Sequence, residues 1–341
     1  MKFKNIFKIS LLLFLLILLI VFYWVPNQNT SSSNEIENTS SSNQIENISI
    51  DIGNFLSDYF TQIGLSFLNQ KDHVFKEIYC RYAITQPIEN IKDINFVKHF
   101  PTTIPYRKDI YDEMVKSGLT YDNVRESFDK FYFGYGQSTW VIFDKTHESF
   151  WKCMKPFVNE TLKAAFENTN IRPTVEYPVI HFRCSDAPFI RNSNYLLQKY
   201  SFFKHALDKI TEKTGKKFDK VIISFCNGHL SDMNDQKACN IYYDSLSNYL
   251  NSIGYKTIQK CSTNVEDFAS MFFAPAVIST CSSFSFMSGF FSDGIFISEG
   301  HYGDKYVCDN CDEWLLHGYS LQHSEVENYH DTDSVIQKLK S

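Results

Sequence analysis

The chain has 341 residues, a length that suits about two domains, and its 33 Lys and Arg against 39 Asp and Glu leave a formal net charge of -6. That balance supplies no basic field for nucleic acid. Aromatics make up 16% of the residues, while Gly and Pro number only 13 and 9, so most of the chain has the material for a packed core and little of it reads as linker.

Lys2, Lys4 and Lys8 precede an almost unbroken apolar run that, counted from Ile9 and Ser10, ends at Val25. This is the lower limit of length for a helix that crosses a bilayer. No small-x-small cleavage pattern follows; Pro26 and an Asn/Ser tract do. The expectation is an uncleaved signal-anchor at 9–25 behind a cytosolic tail at 1–8, with a cleaved signal peptide as the alternative. The basic flank then orients the rest as a single-pass type II membrane protein whose body lies in a lumen. Residues 26–46 read as a stem: SSSNEIENT at 31–39 is followed by SSSNQIENI at 40–48. This polar repeat has no apolar face to bury and is expected to stay disordered.

All 9 cysteines lie beyond the apolar run. In an oxidising compartment some should pair, and the odd number leaves at least one free. Asn29, Asn38, Asn47 and Asn159 each open an Asn-x-Ser/Thr sequon, which suits the same compartment.

From Ile48, ISIDI alternates like a strand, Gly53-Asn54 makes a turn, and FLSDYFTQIGLSFL reads as a helix. Such a unit presents backbone N–H groups to an anion. Residues 72–175 are helical and aromatic in pattern, with a helix from Glu148 to Phe166 that Pro156 should break or kink.

After Pro173 strands and helices alternate. Strands are expected at Val179–Phe182, Lys220–Phe225, Tyr255–Gln259, Ala276–Thr280 and Ile295–Ser298. Helices are expected at Tyr195–Glu212, Asn234–Ile253, Val265–Phe273 and from Ser282 to Phe291. This order predicts a parallel, doubly wound sheet with right-handed crossovers.

Two stretches at strand carboxyl ends carry the candidate chemistry. His181, Arg183 and Asp186 stand in the spacing H-x-R-x-x-D. The Arg183 fork suits a phosphate, although an ion pair with Asp186 would explain both residues structurally. Cys281-Ser282-Ser283-Phe284-Ser285 lies between a strand and a helix, where hydroxyls and first-turn amides favour a phosphate or merely cap the helix. A doubly wound sheet can bring both to one crevice.

The motif HFRCSD at 181–186 resembles the H-x-R-R/G-x-D motif of GDP-fucose-dependent fucosyltransferases, the α1,2 type above all, with the α1,6- and protein O-fucosyltransferases as relatives. VEDFASMFFAPAVISTCSSFSFMSGFFS at 265–292 is similar to a later motif of the same family, and Gly53-Asn54 to the Gly-Asn turn that opens its fold. The resemblance implies an α/β architecture of two Rossmann-like domains, the GT-B-type glycosyltransferase fold, behind the N-terminal transmembrane helix. An acceptor-side domain would occupy 47–175, a nucleotide-sugar domain 176–300, and a C-terminal tail 301–341. It also implies an inverting, metal-independent transfer of fucose from GDP-fucose to a glycan or glycoprotein in the Golgi or ER lumen, with no cofactor.

Carried over residue by residue, the resemblance puts Arg183 on the β-phosphate with His181 and Asp186 in support. Ser282, Ser283 and Phe284 would wrap the diphosphate, with Asp267 and the Gly53-Asn54 turn near the donor. Asp58 and Asp186 are the candidate proton acceptors. Cys184 departs from the pattern, since many members carry a second Arg there. The departure leaves two alternatives open: a glycosyltransferase using another nucleotide sugar, and a membrane-anchored carbohydrate- or nucleotide-binding protein without transfer activity. Asp331-x-Asp333 has the spacing of a metal-binding pair but lies in a polar tail. Cys308-x-x-Cys311 reads as a disulfide or, less simply, as part of a zinc site.

Overall fold

The computed structural model describes residues 52–341 apart from 76–77, 81–83, 87–93, 136–143, 185–187, 190–195, 227–231, 281, 300–314 and 317. The described residues belong to one compact unit.

The described residues open with α1 (Ile52–Leu68), whose apolar side chains Ile52, Phe55, Leu56, Tyr59, Phe60, Ile63 and Phe67 are almost wholly buried. Two short antiparallel pairs follow. β1 (His73–Val74) joins β4 (Thr103–Ile104), and β2 (Ile78–Cys80) joins β3 (Ile84–Gln86); the short α2 (Ile94–Val97) lies between them in sequence. α3 (Lys108–Lys116), α4 (Tyr121–Tyr135) and α5 (Lys145–Thr169) complete this half.

α5 runs unbroken through Pro156, so the helix does not break there as one of the two expectations had it. The proline removes one bond, to the Lys152 carbonyl, on the exposed side of the helix, where water can replace it. Meanwhile Met154, Phe157 and Val158 stay anchored in the core. Asp144 caps the helix by accepting from the His147 amide at 2.9 Å.

The second half is the doubly wound sheet. Its members are β5 (Val179–His181), α6 (Tyr200–Thr214), β6 (Lys220–Ser224), α7 (Met233–Ser252), β7 (Lys256–Lys260), α8 (Asn264–Phe272), β8 (Ala276–Ser279), α9 (Ser283–Ser285, continuing as a π-helical turn to Phe290), β9 (Ile295–Glu299), β10 (Leu315–Leu316) and α10 (Thr332–Lys340). The strands are ordered β7-β6-β5-β8-β9-β10 and every pairing is parallel. Gly215 ends α6 in the left-handed region, φ 64°, a conformation without penalty for glycine.

Side chains along β5 alternate between two cores: Val179 enters one, and Ile180 and Phe182 the other. The face that takes Ile180 is covered by α6, α7 and α10. The face that takes Val179 is covered by α8 and α9 together with α1, α3, α4 and α5. α9 lies so close to the sheet that a β-carbon on Gly289 would sit 2.6 Å from the Phe296 ring and 2.9 Å from Val277.

Three expectations are corrected by this arrangement. Residues 52–175 contain no parallel sheet among the described residues, so the first half is a helical layer on the sheet rather than a second Rossmann-like domain. Its apolar residues share one core with α8, α9 and the sheet, and the ISIDI strand lies outside the described residues except for Ile52, which starts α1. Residues 301–341 are more than a tail, because Leu321, Val326, Tyr329, Val335 and Leu339 are buried. Finally, no helix among the described residues is long and apolar enough to cross a membrane. The longest, α5, carries charged residues throughout its length, which a bilayer would not accommodate. The expected tail at 1–8, span at 9–25 and stem at 26–46 lie outside the described residues. The type II transmembrane placement in a Golgi or ER lumen is corrected on that finding.

Candidate functional site

The strand order reverses direction between β5 and β8. The chain leaves β5 toward β6 and β7, and leaves β8 toward β9 and β10, with the connecting helices on opposite faces. A crevice opens beyond the carboxyl ends of the two strands at such a point, and ligands of open α/β sheets bind there. Both candidate motifs lie at that place: the first continues β5 and the second continues β8.

Thr280 joins them. Its hydroxyl donates to the His181 carbonyl at 2.7 Å and accepts from the Arg183 amide at 2.9 Å. One side chain at the end of β8 therefore fixes the backbone on both sides of Phe182, and with it the start of the Arg183 side chain. The guanidinium reaches toward the β8–α9 turn, donating from Nη1 to the Ser282 hydroxyl at 3.4 Å. His181 is in register with Ser279, and its ring centroid lies 5.7 Å from that of Phe284.

The β8–α9 turn is built from hydroxyls. Ser282 caps the helix, accepting from the Phe284 amide at 3.2 Å. Ser279 and Ser285 share a buried hydrogen bond of 2.7 Å. The capping explanation of Ser282 is thus realised, and the same oxygen also receives Arg183. Against this turn stands the first turn of α1: a β-carbon on Gly53 would lie 2.4 Å from the Phe284 nitrogen and 2.5 Å from the Ser283 carbonyl carbon. The Gly53-Asn54 pair is helical here rather than a turn. The amino-terminal ends of α1 and α9, each carrying the partial positive charge of a helix start, consequently abut beside Arg183.

The remaining candidates are more scattered. Asp58 is buried on α1, one turn beyond Asn54. Asp267, 5% exposed, accepts from the Ser262 amide with both oxygens, at 3.2 and 3.1 Å. Burial raises its pKa, against the lowering effects of the Ser262 bond and of Lys260. It belongs to the rim at the ends of β6 and β7, and its neighbour Phe268 meets the Phe284 ring edge-on at 5.4 Å. Asp186 lies outside the described residues, as do Cys281, Cys308 and Cys311. Asp331 serves as the amino-terminal cap of α10 and accepts from Ser334, a helix-start role for one half of the Asp-x-Asp pair.

Sequence reasoning missed several parts of this region. Thr280 looked like the last residue of a strand, and only the strand order reveals it as a bridge. Glu299, at the end of β9, is 4% exposed and accepts from the amides of Tyr319 and Ser320, both at 2.8 Å, and from the Ser320 hydroxyl. Burial raises its pKa despite these donors. Two disulfides also frame the crevice. Cys184–Cys239 ties the exit of β5 to α7, and Cys226–Cys261 ties the ends of β6 and β7. Cys226, at the exit of β6, is thus bonded to the residue that follows β7. Cys153 carries a free thiol.

No protein-family profile, curated protein or solved structure matches the chain.

Proposed function

We propose that the chain is an inverting glycosyltransferase that passes fucose from GDP-fucose to a hydroxyl of a glycan or glycoprotein. The observation that carries this reading is the meeting of Arg183, pinned by Thr280 and bonded to Ser282, with the adjoining amino-terminal ends of α1 and α9 at the switch point of the sheet. The sequence resemblance supplies the identity of the donor.

In this mechanism the acceptor oxygen attacks C1 of the sugar opposite the nucleotide, and the C1–O bond to the diphosphate breaks with oxocarbenium character. Negative charge gathers on the leaving diphosphate. Arg183, the Ser282 and Ser283 groups and the two helix ends stabilise that charge more in the transition state than in the bound donor. Because these groups are already held by Thr280 and by the packing of α1 on α9, little reorganisation is needed when the charge appears. The acceptor proton passes to a carboxylate, with Asp58 and Asp186 as the candidates. His181 and Phe284 form a ring pair at the crevice against which the donor can rest, and Asp267 flanks the nucleotide end.

The test is GDP-fucose hydrolysis and transfer by the full chain in EDTA, beside the Arg183→Ala variant. The expected result is turnover of GDP-fucose that falls by about 100- to 1000-fold in the variant, the range for losing one preorganised donor to a developing anion. Equal turnover by the variant, or use of UDP-sugars alone and only with Mn²⁺, would overturn the reading.

A further inference from the structure

The two disulfides beside the crevice differ in how they meet solvent. Cys184 and Cys239 are 2% and 0% exposed, and their bridge lies inside the core formed by α6, α7 and α10. Cys261 is exposed and Cys226 half-buried. A thiolate can approach the second bridge from water but not the first, and exchange requires that approach.

The surroundings of the exposed bridge also favour one of its sulfurs. Cys226 Sγ lies 3.5 Å from Asp267 Oδ2, so an incoming thiolate is repelled on that side whenever the carboxylate is charged. Cys261 faces solvent at the end of the edge strand β7. The next residue, Ser262, holds Asp267 through its amide. The charge state and position of Asp267 are therefore coupled to whether Cys261 is tethered.

We propose that Cys226–Cys261 is a thiol-exchange site for small thiols of the glutathione class, attacked at Cys261, while Cys184–Cys239 stays closed. This goes beyond the transferase reading and does not depend on it. In the first step a thiolate RS⁻ bonds to Cys261 Sγ. The disulfide breaks, the electron pair goes to Cys226 Sγ, and that sulfur takes a proton from solvent. A second thiol then attacks the mixed disulfide, so that two RSH become RSSR and the two cysteines become thiols. Cutting the tether loosens the Cys261–Ser262 segment and with it the hold on Asp267.

The experiment uses the folded full chain and reads mass rather than turnover, so failure of the glycosyl-transfer reading leaves it intact. Thiols already free, Cys153 among them, are capped with light iodoacetamide. The protein is then exposed to reduced glutathione, capped with heavy iodoacetamide, and digested, with circular dichroism followed in parallel. The expected result is a glutathione adduct or heavy label on Cys261, heavy label on Cys226, and Cys184 still joined to Cys239, all at unchanged dichroism. Hydrogen exchange of the peptide containing Ser262 should quicken in the same sample. Opening of both bridges together, opening of neither before the dichroism collapses, an adduct confined to Cys226, or unchanged exchange at Ser262 would each overturn the proposal.

Discussion

Gly53 and Phe284 approach so closely that a β-carbon on the first would sit 2.4 Å from the backbone nitrogen of the second. Nothing flexible lies in the way, since the obstructing atoms are backbone. Gly53→Ala must push the start of α1 off the β8–α9 turn, an overpacking cost of about 1–3 kcal/mol. We expect a lower midpoint in denaturant and weaker GDP binding measured by calorimetry. Unchanged values for both would show that the two helix ends do not need this contact.

Thr280→Val keeps the shape at the end of β8 and removes the hydroxyl that bridges His181 and Arg183. The half-buried Arg183 amide loses its acceptor, at a cost of about 1–3 kcal/mol. Because the Arg183 guanidinium is aimed from that backbone, binding of GDP should weaken beyond what the stability loss explains. Thr280→Ser, which restores the hydroxyl, should recover binding. A serine variant as weak as the valine one would refute the bridge as the cause.

Glu299 gives a pH signature. Burial raises its pKa in the folded chain, so between the ordinary glutamate value and the raised one the native state holds the extra proton. Its favourable contribution is complete below the ordinary value and disappears as pH rises through the raised one. Glu299→Gln should therefore flatten the loss of stability across that window in urea titrations. The amide oxygen can still accept from Tyr319 and Ser320, so the neutral variant should equal or exceed the parent at neutral pH. Glu299→Ala, which strands those donors, should be less stable by about 1–3 kcal/mol. A parallel pH profile for parent and Gln variant would refute the assignment.

Asn159 sits within α5, and its side-chain amide donates to the Phe291 carbonyl at 2.7 Å and to Asp293 at 3.1 Å. The sequon at that position is thus occupied by a structural role, fastening the α9–β9 connection to α5 beside the Lys163–Asp293 pair at 2.7 Å. Asn159→Ala should cost about 1–2 kcal/mol. A glycan on that nitrogen would displace both bonds, so mass spectrometry of the folded chain should find Asn159 unmodified.

Pro156 is the reverse case. Replacing an exposed interior proline with alanine restores a helix bond and removes an intrinsic penalty of about 3 kcal/mol, against about 1 kcal/mol of unfolded-state entropy given up. Pro156→Ala should raise the thermal midpoint. A fall would mean that α5 depends on the proline for its start or its register.

The second half of the chain was legible because its apolar runs are short, most start directly after Pro178, Gly254, Pro275 or Gly294, and they alternate with amphipathic helices; each expected strand from Val179 to Glu299 matches to within a residue or two. In the first half the helices over 55–68 and 148–166 were legible as helices, but the way α1 packs was not. Phe55, Leu56, Ser57, Asp58, Tyr59 and Phe60 are consecutive in the interior, so no one-sided stripe says which face meets the sheet. Gly53 looked like a turn ahead of the helix, when it lies in the first helical turn and permits close approach to Phe284. Cysteine pairing was illegible as well, since spacing alone does not say which strand ends lie side by side. The nearness of Arg183 to Ser282 follows only once the strand order is known.

The placement of α1 has a consequence for how the protein comes into being. It is made early, yet Ser283, Phe284, Phe286 and Phe291, in the core that covers it or against its first turn, are made near the end. Until then α1 can pack only on the helical layer, through contacts such as Tyr59 with Phe75 and Phe60 with Phe157, and the side of it that faces α9 stays uncovered. Contacts so distant along the chain close slowly, and exposed apolar surface in the interim invites association. Synthesis of this protein therefore carries a long interval in which its first helix needs shelter, and a chain that stops short of β8 should be recovered as aggregate rather than as a smaller fold.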